Sequence, residues 1–403
     1  MTATSPSPVV RMFDHHDCPG ITTDPFDAFD RYRGRPIFWT PAHGGFWVPT
    51  RFDDVRAILR DPVAFSSKHS AIPPLGWPRP LIPVELDPTD HTKYRALLTR
   101  SLTGPIGDAI TTAVQRECAR LVDHFTPQGA CEIVTDYAQP IQNVLFTTLF
   151  GIPGDHTDDW ARWVADLPQH IEPARRRSAL HAITGYLTEQ LAERRANPTR
   201  CGPGLFDALA HAEPDGQPLS GDQMLDAAFL MVLGTVYTLT STIAFSLRHL
   251  AQYRKEQDHI ATHPELTGTV ANELLRLYSV ANSVRTATRD TSIANTSIAA
   301  GDRLLLCLSI ADRDPATYPD PTTLRLNRPP NPGHLAFGYG PHRCLGARIA
   351  THALTAALRE WHHRIPSYTI PDHVTIHTGG GMVSTLDALP LTWPTPPTTK
   401  PGA

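Results

Sequence analysis

The sequence predicts a mainly α-helical fold with small antiparallel β regions, one toward each end of the chain. Helical patterns of apolar residues cover most of the 403 residues, whereas strand signals are few and short. Strands and helices do not alternate in the order that builds a doubly wound parallel sheet. We therefore expect a mainly helical protein without a Rossmann-like core.

Periodicity and capping signals give the positions of the predicted helices. The clearest begins at Ser220, where Gln223 can complete a capping box, and its apolar course runs to about Tyr253. The predicted helices cover residues 53–60, 90–102, 106–125, 134–149, 160–167, 176–196, 220–253, 266–279 and 345–364.

Three short β regions are predicted from runs of β-forming residues bounded by turn signals. Residues 37–40 and 45–49 form a hairpin in this prediction, and residues 367–370 and 389–393 form another. The third region comprises residues 284–287, 298 and 303–308, with Gly301-Asp302 as its turn. We expect one domain over residues 11–393, with flexible termini at 1–10 and 394–403 because the ends are polar and proline-rich.

Composition excludes several classes of function. The net charge of −4 provides no broad basic excess for a nucleic-acid backbone, so we expect no nucleic-acid partner. The 6 cysteines form no CxxC pair, which disfavours a multi-thiolate metal site or a disulfide framework. The first residues contain no apolar run typical of a signal peptide, so a cytoplasmic location is expected. Residues 227–247 carry no charge, but their many hydroxyl groups favour a core helix over a membrane span.

The sharpest local pattern is a glycine-rich turn that places one cysteine at the start of a helix. Its sequence is Phe337-Gly338-Tyr339-Gly340-Pro341-His342-Arg343-Cys344-Leu345-Gly346. The glycines permit unusual backbone conformations, and the helix N-terminus favours thiolate over thiol. Gly346 also removes a side chain where a flat ligand would lie. A lone cysteine is more often an inert buried residue, so the argument depends on the whole pattern.

That pattern resembles, residue by residue, the haem-binding signature FGxGxHxCxGxxxA of the cytochrome P-450 family. The resemblance implies the cytochrome P-450 fold and a haem b cofactor (iron protoporphyrin IX) whose iron is bound by Cys344. It also implies that Phe337, Gly338, Gly346 and His342 contact the haem. The implied chemistry is reductive activation of dioxygen, in which the thiolate ligand assists O–O cleavage.

Other stretches match the same family in the expected order. Glu273 and Arg276 resemble its ExxR element, which would hold the loop before Cys344 rigid, although an isolated ExxR is more often an exposed helical salt bridge. His91 and Arg95 share a helical face and resemble the pair that grips the haem propionates, against the alternative of a solvated helix face. Arg285 and His342 fall where the family supplies further propionate contacts.

The pattern fails where the family carries its oxygen-activation motif, (A/G)Gx(D/E)TT. Aligning Gly234 with the motif glycine places Val236 at the acid position and Tyr237 at the alcohol position, followed by Thr238. Three explanations stay open at this level. Tyr237 or Thr238 relays protons with a shifted geometry; the substrate supplies the proton donor; or the reaction is a dehydrogenation, cyclisation or coupling without oxygen insertion. Tyr237 could also simply fill space in the pocket.

The resemblance also implies the partners and the substrate pocket. Electrons would come from a ferredoxin or flavodoxin-like donor with its reductase, because the chain shows no flavin or iron–sulfur segment. Ile72, Leu75 and Trp77 suggest a mainly apolar pocket for a small organic substrate. The expected pocket segments are residues 67–80, 167–171, 230–238, 280–284 and 382–383. We expect a monooxygenase or oxidase that tailors a bacterial secondary metabolite, with a coupling or cyclising enzyme and a catalytically weak recruitment or haem-binding module as alternatives.

Overall fold

The computed structural model describes residues 9–152, 159–160, 162–163, 166–167, 172–197, 204–329 and 331–395. The predicted fold class is confirmed, since helices dominate and the sheets are small. In chain order the longer helices are α1 Pro25–Asp30, α2 Phe52–Arg60, α3 Pro88–Ser101, α4 Pro105–Phe125, α5 Gln139–Phe150, α6 Pro173–Ala196, α7 Leu205–Ala210, α8 Gly221–Val236, α9 Thr238–Gln252, α10 Arg254–Thr262, α11 Thr267–Leu277, α12 Leu308–Asp312 and α13 Ala347–Arg364.

Most helices begin and end within a few residues of their predicted positions. The predicted capping box at Ser220 is present, with the Ser220 hydroxyl and the Gln223 side chain bonded to each other's backbone N–H groups. The sequence patterns missed α1, α7, α10 and α12. Of the predicted helix over 160–167, residues 160 and 162–163 are helical, residues 166–167 are not, and the others lie outside the described residues. The predicted flexible termini lie largely outside the described residues, although Val10 forms a β-bridge with Trp39.

One predicted helix is two helices in the structure. The continuous helix expected from Ser220 to about Tyr253 ends at Val236, and α9 begins at Thr238. Tyr237 between them has φ −120° and ψ −25°. The hydroxyls of Thr235, Thr238 and Thr242 each bond a carbonyl group one turn earlier, and such bonds bend helices.

The strands are β1 Ile37–Thr40, β2 Phe46–Pro49, β3 Phe65–Ser66, β4 Ala130–Glu132, β5 Asn282–Ala287, β6 Thr291–Ile293, β7 Thr296–Ile298, β8 Arg303–Cys307, β9 Thr378–Gly379, β10 Thr385–Leu386 and β11 Pro390–Thr392. The predicted β1–β2 hairpin is confirmed. It joins the later strands in one sheet of order β1-β2-β8-β5-β3, in which β2 and β8 are parallel. The predicted hairpin of residues 367–370 with 389–393 is reduced to one bridge, Thr369 to Thr392, because β11 pairs with β4 instead.

The centre of the molecule is built around α9. Every residue from Leu239 to Leu250 in this helix is buried. The span Gly221–Gln252 is long and apolar enough to cross a bilayer, but 61% of its most apolar window is buried inside the protein. This burial supports the interpretation of the segment as a core helix, and the half-buried Tyr237 at the break immediately precedes its fully buried part.

Candidate functional site

The loop before α13 holds Cys344 in a fixed position. The backbone N–H of Cys344 donates a 2.8 Å hydrogen bond to the carbonyl group of Phe337, and Gly338 bonds Leu335 at 2.6 Å. Gly340 has φ +72°, and a Cβ there would lie 2.6 Å from the carbonyl oxygen of Leu59. The glycine is therefore required both by its backbone conformation and by the close approach to α2.

Cys344 lies on the wall of a cavity of about 330 Å³. Its side chain is exposed to the cavity, and the surrounding protein raises the pKa of its thiol by desolvation, while the nearby Gly346 amide and the charges of Arg95 and Arg343 act in the opposite direction. A metal cation bound to the sulfur would supply the positive charge that stabilises a thiolate at such a position. Around a Cβ placed on Gly346, the nearest atom is the Cys344 sulfur at 3.9 Å, so the cavity side of this loop is open.

The cavity is mainly apolar and joins the cysteine loop to the central helices. Its lining residues are Pro83, Val84, His91, Arg95, Leu102, Leu145, Leu149, Leu230, Met231, Gly234, Thr235, Thr238, Leu239, Thr242, Leu275, Tyr278, Val280, Ala281, Asn282, Ser283, Leu308, Ala336, Phe337, Gly338, His342, Arg343, Cys344, Leu345, Gly346, Ile349 and Ala350. Concave, apolar sites with a few converging polar groups are typical of cofactor and small-molecule binding.

The predicted propionate-binding residues gather at this cavity. The rings of His91 and His342 lie 3.9 Å apart between centroids, and the lining also includes Arg95. Arg285 is 4% exposed beside them and bonds Ser283 and the Val284 carbonyl group. The Nε2 atoms of both histidines are buried and have no hydrogen-bond partner among the described residues.

The charges around His91, His342 and Arg285 favour binding of an anion. Burial, with the charges of Arg95 and Arg285, lowers the pKa of His91 to about 4. Burial and the same positive neighbours lower the pKa of His342 to about 3. Burial also lowers the pKa of Arg285 to about 10, with only Asp87 acting in the opposite direction. Two carboxylates would bond the free nitrogens and offset the positive charge, so these residues fit the propionates of a haem.

The ExxR pair is buried rather than exposed. Glu273 and Arg276 are bonded to each other at 2.8 and 2.9 Å, with side chains 8% and 3% exposed. Arg276 also donates to the carbonyl groups of Asp312 and Pro321. The alternative of a solvated salt bridge is therefore wrong here, and the pair braces the chain that leads toward the cysteine loop.

Two residues that the sequence analysis missed complete this brace. Arg328 bonds Glu273 at 2.6 Å and thus shares the carboxylate with Arg276. The carboxylate of Asp312 accepts a 2.7 Å bond from the backbone N–H of Leu335, at the start of the cysteine loop, and a bond from Ser279. No periodicity connects positions so far apart in the chain, so sequence patterns could not reveal these contacts.

At the break in the central helix, Thr238 and not Tyr237 lies on the cavity wall. Gly234, Thr235 and Thr238 line the cavity, whereas Tyr237 and Val236 are not among its lining residues. The Thr238 hydroxyl donates a 3.0 Å bond to the Gly234 carbonyl group. Burial raises the pKa of Tyr237, whose charged neighbours are Arg176 and Asp166. The idea that Tyr237 fills the pocket therefore finds no support in the lining.

The predicted pocket segments are correct in part. The cavity is lined by residues 280–283 and, from segment 230–238, by residues 230, 231, 234, 235 and 238. Segments 67–80 and 382–383 do not line it, and Leu167 is absent from the lining. Residues 168–171 lie outside the described residues. Trp77 stacks on Phe229, with ring centroids 4.1 Å apart, and its indole N–H is bonded to Asp226. This pairing holds Trp77 against α8 instead of in the cavity.

Comparisons with known proteins agree with the site. A family model described as "Cytochrome P450" matches residues 167–361. The chain is 32% identical to "Probable cytochrome P450 127A1" of Sinorhizobium fredii over 96% of this chain and 95% of that protein. It is 28% identical to "Linalool 8-monooxygenase" of Pseudomonas putida, over 81% and 85% of the two chains. It is also 28% identical to "Polyketide biosynthesis cytochrome P450 PksS" of Bacillus subtilis, over 75% and 78%.

The fold comparison gives the same result. The crystal structure of cytochrome P450 CYP101C1 matches with a TM-score of 0.87 and 26% sequence identity, covering 98% of this chain and 100% of that chain. The crystal structure of CYP101J2 matches with a TM-score of 0.85 at the same identity and coverage. Fold, cysteine loop and relatives agree, and the chain belongs to the cytochrome P450 family of haem-iron monooxygenases.

Proposed function

We propose that this protein is a haem b monooxygenase that uses dioxygen to oxidise a small, largely apolar organic substrate, and that it tailors a bacterial secondary metabolite. The observation that carries the proposal is the position of Cys344 on the wall of a mainly apolar cavity, together with the buried Nε2 atoms of His91 and His342, which have no hydrogen-bond partner among the described residues. The similarity to a polyketide-biosynthesis relative supports the substrate class.

The chain's own residues would hold the cofactor in a defined way. Cys344 would bind the iron, and His91, Arg95, Arg285 and His342 would bind the propionates. When bound, a thiolate-ligated haem supplies reductive activation of dioxygen. Phe337, Gly338 and Gly346 would line the face from which the sulfur approaches, because the backbone of this loop leaves that side open.

Proton delivery is the atypical part of the proposed mechanism. The sequence alignment put Gly234 at the second position of the (A/G)Gx(D/E)TT motif. If the motif is shifted by one residue along the chain, Gly234 takes its first, small position and Thr238 takes the alcohol position. Three observations support this register: Thr238 lines the cavity, it bonds Gly234, and it begins α9. Tyr237 then stands where the family has an acid, and its raised pKa keeps the phenol protonated. We infer that the Thr238 oxygen positions a proton-carrying water at the cavity, and that Tyr237 passes protons toward it from the side of Arg176.

We also propose the class of electron donor and the cellular location. A ferredoxin or flavodoxin-like protein with its reductase would supply electrons in the cytoplasm, and neither a membrane nor a nucleic acid takes part. The burial of the long apolar span Gly221–Gln252 supports a soluble enzyme.

A two-stage experiment tests this function. Purified protein should give the reduced carbon monoxide spectrum of a thiolate-ligated haem, and Cys344→Ala should lose it. A library of candidate metabolites is then screened for shifts in the haem spectrum, and the products of each hit are analysed with electron donors present. A Cys344→Ala spectrum equal to that of the parent protein would overturn the proposal.

A second candidate function is favoured by the missing acid at the oxygen-activation motif. If proton delivery is weak, the enzyme would perform a coupling, cyclisation or dehydrogenation without inserting oxygen. Labelled dioxygen separates the two, because a hydroxylated product carries the label and a coupled or dehydrogenated product does not. Stoichiometric haem with slow turnover of every hit would instead indicate a recruitment module.

A further inference from the structure

Three histidines from two segments of the chain meet at a point away from the cavity lining. His15 and His16 follow one another near the start of the described chain, and His43 lies in the turn between β1 and β2. One ring nitrogen of each lies within 4.8 Å of the others. The ring centroids are 4.2 Å apart for His15 and His16 and 5.5 Å apart for His16 and His43.

The fully buried member of this histidine cluster, His15, has no hydrogen-bond partner among the described residues. His15 is 0% exposed, and both of its ring nitrogens are buried without a partner among the described residues. The nearby carboxylate oxygen of Asp14 is 3.9 Å from Nδ1, beyond hydrogen-bond distance. A buried imidazole with two unsatisfied nitrogens is costly, and a bound cation is one way to satisfy it.

The other two histidines are oriented as metal ligands usually are. Nε2 of His16 lies 3.1 Å from the carbonyl oxygen of Ile72, and Nε2 of His43 lies 2.9 Å from Asp14 Oδ1. Metal-binding histidines commonly bond a carbonyl or carboxylate group through the second nitrogen, which fixes the ring and leaves the first nitrogen for the metal. A Cβ on Gly381 would lie 3.1 Å from Nδ1 of His16, so the glycine keeps that nitrogen accessible.

We propose that His15, His16 and His43 form a structural zinc site that ties the N-terminal segment to the β1–β2 turn. Imidazole ligands suit Zn²⁺, and three histidines with solvent or a carboxylate in the fourth position are an established zinc arrangement. His43 is exposed and has φ +51°, so the turn presents its ring from the surface while His15 lies beneath it. Asp14 positions His43 and provides negative charge beside the ion.

This site is independent of the haem chemistry, so its test does not depend on activity. The haem-loaded protein is treated with a chelator and dialysed against micromolar zinc, and zinc and iron per chain are measured by mass spectrometry. We expect one zinc ion per chain in the parent protein. His16→Gln and His43→Gln should weaken zinc binding by at least about 10-fold and keep the iron content, which shows that they fold.

A second pair of histidines provides the matched control. His259 and His263 have ring centroids 4.4 Å apart on the surface at the end of α10, so His263→Gln removes an adventitious two-histidine site and should leave zinc binding unchanged. Zinc should also raise the melting temperature of the parent and His263→Gln proteins but not that of His43→Gln. Full zinc binding by His43→Gln, loss only in His263→Gln, or no zinc in the parent protein would each overturn the proposal.

Discussion

The hydroxyl of Thr238 donates a 3.0 Å hydrogen bond to the carbonyl oxygen of Gly234, across the break between α8 and α9. Both residues line the cavity that contains Cys344. The bond occupies the hydroxyl proton of Thr238 and leaves its oxygen as an acceptor toward the cavity. Thr238 is therefore the residue of the central helices best placed to accept a hydrogen bond from a water molecule there.

Replacing Thr238 by alanine should uncouple electron consumption from product formation. Loss of positioned proton transfer costs roughly 10²–10⁴-fold in rate, and without Thr238 the proton-carrying water loses its acceptor. We therefore expect product per NAD(P)H to fall by at least about 10-fold while hydrogen peroxide rises. Thr238→Ser, which keeps the hydroxyl, should stay within a few-fold of the parent. Equal coupling in Thr238→Ala would show that the proton takes another route.

Tyr237→Phe should have a smaller effect of the same sign. The variant keeps the ring, whose surroundings include Arg176 and Asp166, and removes only the phenol proton. We expect slower proton delivery, measured as increased peroxide and a larger solvent deuterium effect on turnover. Val236→Ala, a change in the core beside it, serves as the control. Unchanged coupling in Tyr237→Phe would leave the tyrosine a purely structural role.

His91→Gln should weaken haem retention. The variant removes one of the two unpaired imidazole nitrogens at the cavity, and a hydrogen bond to a charged group contributes about 1.5–3 kcal/mol. Haem loss to an excess of acceptor protein should accordingly become roughly 10- to 100-fold faster. The exposed His352 on α13 gives the control His352→Gln, which should retain haem like the parent. If both variants lost haem equally, the propionate role of His91 would be refuted.

The contribution of Asp312 to the free energy of unfolding should decrease as pH rises. Burial is the main cause that raises the pKa of its carboxyl group from 3.8 to about 7. A folded-state pKa above the unfolded value means that the folded protein binds the proton more tightly, so this stabilisation is complete below about pH 4 and is lost as pH rises to about 7. Asp312→Asn should flatten the dependence of melting temperature on pH between 4 and 7, and the exposed Asp372→Asn should not. Parallel curves for the parent and Asp312→Asn would contradict this assignment.

Asp226→Asn should loosen the segment around Trp77. Asp226 is 3% exposed and accepts bonds of 2.8 Å from Trp77 and 2.8 and 2.9 Å from Arg79. Removing the charge should cost about 1–3 kcal/mol of stability and increase cleavage of this segment in limited proteolysis. Asp222→Asn is the matched control, because Asp222 is 68% exposed and pairs with the same arginine at 3.4 Å. Equal proteolysis of the two variants would argue that the bonds of Asp226 to Trp77 and Arg79 do not hold this segment in place.

Some elements of the site could be predicted because their signals are local. The glycine-rich turn, Cys344 and the helix that follows form one continuous stretch, and the positive φ angles of Gly338 and Gly340 agree with the reason for glycine there. The capping box at Ser220 is local in the same sense. By contrast, the alignment assigned Tyr237 to the cavity. It assumed one continuous helix, and the sequence pattern gives no sign of the one-residue break at Tyr237.

The sequence by itself determined the helical fold class through local periodicity, and its resemblance to a known family pointed to Cys344 and to the residues now found around the cavity. Only the tertiary structure decided that Thr238 faces the cavity, that Trp77 turns to Phe229, and that Arg328 and Asp312 brace the cysteine loop. The last two of these features join segments distant in the chain, and burial stabilises such contacts because most buried polar groups are hydrogen-bonded.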